Sequence, residues 1–389
     1  MISYGRQDVR QVDIEAVIKV LRSDYLTQGP VVPELESAIS SRVGAKHAVA
    51  VNSATSALHI ACVALGLGNG DRLWTVPITF VASANCGRYC GANVDFVDID
   101  PATWNISLPY LEEKLFRARR ENSLPKVVVP VHFSGQPTLQ ERIWELSREY
   151  GFRIVEDASH AVGASRNGEP VGSCRWSDIA VFSFHPVKII TAGEGGMALT
   201  NDPQIAERMS MLRSHGITRD SDRFLNPEDE RGPWYYEQQL LGFNYRMTDI
   251  QAALCVSQLG RLDEYIERRN YLAQRYARKL RSLPLQLPTI EEGNRSAFHL
   301  YVVRMTEKST SKTRRQVFDG LRDRGVAANL HYIPVHLQPY YRSLGFSPGQ
   351  FPESEAYGRD AITLPLYPTL SDGDQDNVVR AVEQVLASD

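Results

Sequence analysis

The run FSFHPVKIITAGEGGMALT places Lys188 after an apolar strand and before a glycine-rich turn. In this turn Gly193, Gly195 and Gly196 would let the backbone lie close to an amine. A lysine surrounded by apolar groups can lose its proton and act as a nucleophile toward aldehydes. A solvated lysine is the alternative, because most lysines lie at the protein surface.

Asp157 ends a second apolar run, FRIVEDA. At the carboxyl end of a strand, an aspartate can hold a cationic ring nitrogen through a charge-assisted hydrogen bond. It can also cap the turn that follows, which is a common use of aspartate. Taken with Lys188, Asp157 resembles one half of a pyridoxal phosphate site, in which the lysine bonds the cofactor and the aspartate keeps the ring nitrogen protonated.

Such a site also needs a phosphate cradle and an aromatic face. The run VNSATSALHIA offers small and hydroxyl residues, 53–56, at the start of a predicted helix, where free N–H groups attract anions. Ser183 is a second hydroxyl at a strand end, and Phe80 in PITF could support a flat ring. A plain helix cap and an ordinary core phenylalanine are the alternatives. Neither a P-loop nor a GxGxxG fingerprint is present, which argues against a nucleoside triphosphate or dinucleotide cofactor.

Composition narrows the class of protein. The chain has 389 residues, 43% hydrophobic and 23% charged, as in an ordinary globular protein. A net charge of −3 gives no general attraction to nucleic acid or to anionic membranes. The five cysteines form no CxxC pair, so we expect no disulfide framework and no metal site. No signal peptide or transmembrane run is visible, and we expect a cytoplasmic protein.

Short apolar runs alternate with amphipathic stretches between residues 46 and 200, which predicts an α/β fold. Runs such as VVVPV do not alternate, as expected for strands that helices cover on both faces. The predicted strands are 46–51, 72–76, 94–99, 126–133, 152–158, 179–184 and 196–200.

The rest of the chain shows a charged loop, a long helix and a change of composition. Residues 218–233 predict a long loop that could act as a lid. Residues 248–281 have helical spacing, with one apolar face. We therefore expect an N-terminal arm (1–12), a large domain (13–260), and a linking helix with a small C-terminal domain (261–389).

Eight motifs together carry a family resemblance, and they span nearly the whole chain, from LTQGP (26–30) to LPLYP (364–368). In chain order they are VNSATSAL, PITFVASAN, VHFSG, VEDASHAVGA, FSFHPVKIITAGEGG, LRSHGI, LGFNYRMTDIQAAL and LPLYP. They resemble the successive signatures of the DegT/DnrJ/EryC1/StrS family. The resemblance implies a fold-type I, pyridoxal phosphate-dependent aminotransferase, with a mixed, mostly parallel sheet, helices on both faces and a smaller C-terminal α+β domain.

The same resemblance implies roles for single residues. Lys188 matches the lysine that holds the cofactor as a Schiff base, and Asp157 matches the partner of the ring nitrogen. The remaining cofactor positions are Ala54, Thr55 and Ser183 at the phosphate, Phe80 on the ring face, His160 near the ring hydroxyl, and Asn244 reaching the phosphate of a neighbouring subunit. His160 stands where many relatives carry glutamine, and Ala54 stands where they usually carry glycine. Asn244 in this role implies a homodimer with shared active sites.

The substrate side of the site is implied by segments that border it in relatives. Candidate residues are Tyr4, Thr27, Gln28, Arg213, His331, His336 and Gln338, with Arg246 as a further possible contact of a diphosphate or carboxylate. Structural roles are the alternative for the lone histidines and for both arginines.

The family resemblance implies transfer of an amino group from glutamate to a nucleotide-linked ketosugar. Within the family, ISYGRQDV, DYLTQGP, SFHPVK and LRSHGITRD are most similar to the aminotransferases of pseudaminic acid biosynthesis, which supply surface polysaccharide or flagellin glycans. The expected acceptor is a UDP-linked 4-keto-6-deoxy-N-acetylhexosamine. Alternatives are a dTDP- or GDP-linked ketosugar, or a non-catalytic regulator built on the same fold. Family dehydratases carry histidine in place of the lysine, whereas Lys188 is present here.

Overall fold

A computed structural model gives the fold of the chain and describes residues 1–226, 232–306 and 312–387. Within these residues the chain forms thirteen α-helices. They are α1 (Gln11–Leu21), α2 (Val31–Val43), α3 (Ala54–Ala64), α4 (Ala82–Tyr89), α5 (Leu108–Arg120), α6 (Gln140–Tyr150), α7 (Pro203–Arg213), α8 (Asp249–Leu259), α9 (Leu262–Leu280), α10 (Arg314–Asp323), α11 (Pro339–Arg342), α12 (Pro352–Asp360) and α13 (Asp372–Ala387).

Seventeen strands, several of them only two residues long, lie in the same described part of the chain. They are β1 (Ile2–Ser3), β2 (His47–Val51), β3 (Arg72–Thr75), β4 (Asn93–Phe96), β5 (Val127–Val128), β6 (Arg153–Asp157), β7 (Ser165–Arg166), β8 (Glu169–Pro170), β9 (Ile179–Ser183), β10 (Gly196–Thr200), β11 (Ile217–Thr218), β12 (Glu237–Gln238), β13 (Leu285–Gln286), β14 (Asn294–Arg295), β15 (Tyr301–Met305), β16 (Val326–Ala327) and β17 (Ala361–Leu364).

A seven-stranded sheet organises the larger part of the molecule, in the order β2-β10-β9-β6-β5-β3-β4. Only β10 runs antiparallel to its two neighbours, and the other pairs are parallel. The carboxyl ends of six strands therefore meet at one edge of the sheet, where α/β folds bind ligands. Each of the seven strands overlaps one that the sequence predicted, which confirms the mixed, mostly parallel α/β sheet.

Apolar side chains leave both faces of this sheet. Val127 packs with α3 and α4 on one face, whereas the next residue, Val128, packs with α5 and α6 on the other. Helices α2 and α8 cover the β9–β10 part of that second face, against Phe182. Strands covered on both sides do not need to alternate apolar and polar residues, so the unbroken apolar runs are explained.

Two elements differ from their predicted extent. The strand expected over 126–133 pairs regularly only at Val127–Val128, because Pro130 has no N–H to donate. The helix expected over 248–281 is divided at Arg261, where backbone angles of −112° and 10° are not helical. Its two parts pack in different places, α8 against the sheet helices and the later turns of α9 in a separate apolar cluster.

That separate cluster surrounds a three-stranded antiparallel sheet, β13-β15-β17, with α10 and α13 beside it. The N-terminus joins this part of the molecule, because β1 pairs in parallel with β16. Of the loop expected at 218–233, residues 227–231 lie outside the described residues. Across the described ranges, no helix combines the length and the apolar character needed to cross a membrane.

The first helix, α1, is held to α8 and α9 by a buried ion pair. Asp13 is fully buried, and its carboxylate accepts two hydrogen bonds from the Arg261 guanidinium, at 2.9 and 2.6 Å. Ser257 and the Arg10 backbone N–H donate to the same carboxylate. Burial alone would raise the pKa of Asp13, but these donors outweigh it and hold the pKa below its usual value.

Replacing Asp13 by alanine should lower the free energy of unfolding by about 3 kcal/mol, because Arg261 would stay largely buried without its partner. Urea unfolding followed by circular dichroism measures the change. Glu113→Ala is the control, since it removes an exposed pair with Arg117 and should change the value by less than about 0.5 kcal/mol. Equal effects of the two substitutions would contradict the structural role of Asp13.

Candidate active site

A cavity of about 510 Å³ opens at the carboxyl edge of the seven-stranded sheet. Residues from the ends of β3, β6 and β9 line one side of it, and the segment after β16 closes the other. Among the residues predicted from sequence, those that line this cavity are Tyr4, Ala54, Thr55, Phe80, Asp157, His160, Ser183, Lys188 and His331. The structure therefore brings together the residues expected to bond, stack on and anchor one ligand.

Lys188 lies in the loop between the antiparallel strands β9 and β10. Its backbone N–H donates to the carbonyl of His185, and Phe184 N–H donates across the loop to Gly195, which closes the turn. The side chain faces the cavity, and burial among protein atoms lowers the pKa of its amine to about 8. The charge of Asp157 opposes this shift without cancelling it. A useful fraction of the amine is thus neutral near neutral pH, as a nucleophile requires.

Asp157 ends β6 on the floor of the cavity and is buried. Ser159 N–H donates to its Oδ1 at 3.1 Å, and Ser83 Oγ donates to its Oδ2 at 2.5 Å. Each carboxylate oxygen therefore has one hydrogen-bond donor from the protein, and the residue also lines the cavity. A carboxylate oxygen can accept further bonds, so Asp157 can also receive a proton donor from a ligand.

An anion site lies at the start of α3. Ser53 caps the helix by accepting a hydrogen bond from Ser56 N–H. The N–H groups of Ala54 and Thr55 are in the first helical turn, where donors have no acceptor within the helix. Gly196 of β10 packs directly against this turn, because a Cβ there would lie 2.4 Å from the backbone of Ser53 and Ala54. Small residues on both sides keep these donors open to an anion.

Phe80 and His160 both line the cavity but differ in their exposure to solvent. The Phe80 ring is 57% exposed, so it offers a free face to a planar ligand. His160 is buried, and Ser134 N–H donates to its Nδ1 at 3.2 Å. Nδ1 must then lack a proton, which places the proton of the neutral ring on Nε2, 3.2 Å from the Tyr332 hydroxyl. Burial, with smaller contributions from Lys188 and His331, lowers the pKa of His160 well below its usual value, so this neutral form persists.

Two further histidines line the wall that faces Lys188. His331 bonds Thr363 Oγ1 through Nδ1 at 2.9 Å, and burial lowers its pKa to about 3. His299 lies with its ring centre 4.4 Å from that of His160, and burial lowers its pKa well below the usual value. Tyr4 packs on His331 at 5.2 Å between ring centres. Aromatic and imidazole groups without charge thus form this side of the cavity.

Several predicted residues lie away from the cavity. Gln28, Arg213 and Arg246 border a second, more open depression of about 950 Å³. Arg213 pairs with Glu36 and donates to the Ala50 carbonyl, so its guanidinium is used in holding the fold.

Two other predicted residues, Thr27 and Asn244, also lie outside this cavity. Thr27 is exposed and makes a backbone bridge to Thr248, and exposed Asn244 makes one to Ser214. The sequence alone left a structural role open for Arg213, and its ion pair favours that role.

His336 and Gln338 are also outside the cavity. His336 is fully buried, bonds Glu355 through Nε2 at 3.0 Å and packs on Phe351. Gln338 starts α11. The expected contact of these two residues with substrate therefore stays a prediction, because neither of them lines the cavity and the His336 ring is used in packing against α12.

Sequence reasoning missed four residues that shape the site. They are Thr79, Ser83, His299 and Tyr332. Ser83 could have been found from its place one turn after Phe80, which faces the same edge. His299 and Tyr332 carried no such signal, since each reaches the cavity through pairing of distant segments.

Comparisons with known proteins agree with this geometry. A model of the DegT/DnrJ/EryC1/StrS aminotransferase family matches residues 7–383. The spore coat polysaccharide biosynthesis protein SpsC of Bacillus subtilis is 37% identical over 388 residues, which cover 99% of this chain and 97% of SpsC.

Solved structures show the same fold over whole chains. Helicobacter pylori PseC, an aminotransferase involved in the biosynthesis of pseudoaminic acid, superposes with a TM-score of 0.89 at 29% identity, covering 99% of both chains. The PLP form of the putative sugar aminotransferase Spr1654 of Streptococcus pneumoniae superposes with a TM-score of 0.88 at 29% identity, covering 99% of this chain and 98% of that one.

The amine of Lys188 should titrate near pH 8 in the ligand-free protein. Acetylation by acetic anhydride, followed by peptide mass spectrometry across pH, measures this because only the neutral amine reacts. Asp157→Asn should move the midpoint to lower pH, since the charge of Asp157 raises the pKa of Lys188. Glu194→Gln, which changes another acid of the cavity wall, is the matched control and should leave the midpoint in place. A wild-type midpoint near 10, close to the free lysine value, would refute the assignment.

Proposed function

Because the chain belongs to the DegT/DnrJ/EryC1/StrS aminotransferase family, a family of pyridoxal phosphate-dependent enzymes, we propose which amino group it transfers and to what acceptor. The donor is glutamate, and the acceptor is C4 of a UDP-linked 4-keto-6-deoxy-N-acetylhexosamine, giving a 4-amino sugar for pseudaminic acid biosynthesis. The observation that carries the proposal is Lys188, a half-buried lysine whose amine has a lowered pKa and shares a cavity with Asp157. The structural likeness to PseC supports the choice of sugar.

The residues of the cavity fit pyridoxal phosphate. The N-terminus of α3 and Ser183 can take the phosphate, and the exposed face of Phe80 can take the ring. Asp157 can accept a hydrogen bond from the ring nitrogen, and Lys188 can bond the aldehyde. His160 and Tyr332 remain for the ring hydroxyl, on the side where relatives use glutamine.

When bound, pyridoxal phosphate supplies a carbonyl that takes up an amino group and a conjugated ring that spreads negative charge. The protein supplies the proton transfers. A neutral Lys188 Nζ can accept a proton from the α-carbon of glutamate, and a charged Nζ can give one to C4 of the acceptor sugar. An amine with a pKa of about 8 can do both near neutral pH. Asp157 keeps the ring nitrogen cationic and so favours loss of the carbon-bound proton.

We extend the proposal to a homodimer with shared active sites. Lys188 is the only lysine or arginine among the described residues that line the cavity. A cofactor phosphate, a nucleotide diphosphate and the carboxylates of glutamate bring more negative charge than one amine and one helix N-terminus can balance. Asn244 is exposed in this chain and is free to reach the cavity of a second copy.

Wild-type protein incubated with pyridoxal phosphate should become yellow and keep the cofactor on Lys188 after borohydride reduction, as peptide mass spectrometry can show. Lys188→Ala should lose both the colour and the covalent product, because no other amine of this chain is placed in the cavity among the described residues. Lys46→Ala is the control, since Lys46 borders the separate open depression and should leave binding unchanged. A wild type that takes up no cofactor would refute the aminotransferase mechanism and favour a regulator.

Turnover then tests the substrate. The loaded enzyme is incubated with glutamate and a panel of UDP-, dTDP- and GDP-linked 4-ketosugars, and the amine product is followed by mass. We expect product from the UDP-linked N-acetylhexosamine. Turnover confined to dTDP or GDP sugars would assign the chain to another branch of the family.

Mixing two inactive variants tests the shared site. If Asn244 acts in the partner's cavity, a heterodimer of Lys188→Ala and Asn244→Ala chains contains one site with both native residues. Activity should therefore appear when the two variants are mixed under conditions of subunit exchange. Each heterodimer should have up to about half the activity of a wild-type dimer, because one of its two sites is native. The double variant in a single chain, mixed with itself, is the control. No recovery despite proven exchange would place Asn244 outside the partner's site.

A further inference from the structure

A side-chain hydroxyl on a neighbouring helix holds the second oxygen of Asp157. Ser83 Oγ lies 2.5 Å from Asp157 Oδ2, and both residues are buried. Ser83 belongs to the first turn of α4, whereas Asp157 is the last residue of β6. The contact therefore joins the carboxylate to the helix that begins just after Phe80.

The direction of this contact follows from the protons available. An ionised carboxylate only accepts, so the Ser83 hydroxyl must donate to it. Ser83 has one proton, and its other possible acceptors, Thr79 Oγ1 at 2.7 Å and the Phe80 carbonyl oxygen at 3.3 Å, are farther away than the carboxylate. Thr79 Oγ1 lies 2.7 Å from Ser83 Oγ, so the Thr79 hydroxyl donates to Ser83. The two hydroxyls thus form a directed chain from Thr79 through Ser83 to Asp157.

We infer that Ser83 is a positioning residue for Asp157 and that Thr79 sets the direction of the Ser83 hydroxyl. The inference rests on the proposed function, in which Asp157 accepts a hydrogen bond from the ring nitrogen of the cofactor. Ser159 N–H holds Oδ1 and Ser83 holds Oδ2, which together fix the rotation of the carboxylate. Without Ser83, one oxygen would lose its donor in a buried site, and the carboxylate could turn away from the ring.

The position of Ser83 in the chain relates this bond to the ring site. Thr79, Phe80 and Ser83 lie within one short segment after β3, so a single turn sets both the aromatic face and the donor to the carboxylate. Two titratable groups respond to the charge of Asp157, which raises the pKa of Lys188 and of Tyr332. Neither of them bonds Asp157 directly among the hydrogen bonds of the described residues.

The experiment compares holoenzyme variants by steady-state kinetics and by the NMR chemical shift of an isotopically labelled ring nitrogen. That shift reports whether the ring nitrogen carries a proton, which a merely structural residue would not alter. Ser83→Ala should lower kcat about ten- to a hundredfold, with a smaller change in KM, and leave the ring nitrogen partly unprotonated. Thr79→Val should change both readouts in the same direction but less, by about two- to tenfold in kcat.

Rescue and control variants complete the design. Ser83→Thr keeps the donor and should restore both readouts. Thr75→Val removes another buried hydroxyl, which bonds the Val129 carbonyl at 2.8 Å, and should leave the ring nitrogen protonated. The variant Thr79→Val with Ser83→Ala should be no worse than Ser83→Ala alone, because Thr79 acts through Ser83.

The outcomes separate this inference from the proposed function. A wild type that binds pyridoxal phosphate, with Ser83→Ala showing the same ring protonation and kcat, would overturn the positioning role alone. A wild type that binds no pyridoxal phosphate would overturn the proposed function and this role with it. If Ser83→Ala does not fold, Thr79→Val becomes the deciding variant, because it removes the donor to Ser83 and leaves Ser83 in place; an unchanged ring signal and kcat in that variant would overturn the hydroxyl chain.

Discussion

Placing an amine and a carboxylate in one cavity, largely away from water, is the constraint on which the rest of the site depends. Either charge alone would be costly to remove from water, and the pair is tolerable only when each group has donors or acceptors in place. Asp157 meets this condition with Ser83 and Ser159, and Lys188 meets it partly by losing its proton more easily. The reactivity of the lysine and the orientation of the aspartate are therefore two results of the same burial.

The sheet explains why these groups meet. Because six strands run in the same direction, β2, β3, β6 and β9 all end at the same edge of the sheet. The residues at or just after each of these ends line the cavity. The antiparallel strand β10 begins at that edge, opposite the end of β9, and the loop between these two strands carries Lys188. The opposite wall comes from the segment around Tyr332, whose hydroxyl contacts His160 and so joins the two parts of the molecule.

Local patterns were sufficient for the sheet and for the chemistry that strand ends display. Apolar runs located all seven strands, and polar residues at their ends, such as Asp157, pointed to the cavity. Regular pairing across 126–133 was overestimated because Pro130 interrupts it. The residue at the helix break, Arg261, pairs with Asp13, which is far away in sequence. Likewise, Arg213 is held by an ion pair with Glu36, and His336 is held by a hydrogen bond with Glu355. Each of these partners becomes visible only when distant segments are folded together.

The close packing of Gly196 on the turn between Ser53 and Ala54 has a consequence for ligand choice. Gly196 begins β10, directly after the loop that carries Lys188, so the amine and the anion-binding turn are anchored at one point of contact. The backbone after this loop and the backbone of the turn therefore meet at a contact that has no room for a side chain. Such tight packing resists separation of the loop and the turn, so it limits the distance that a ligand must span between Lys188 and an anion at the start of α3.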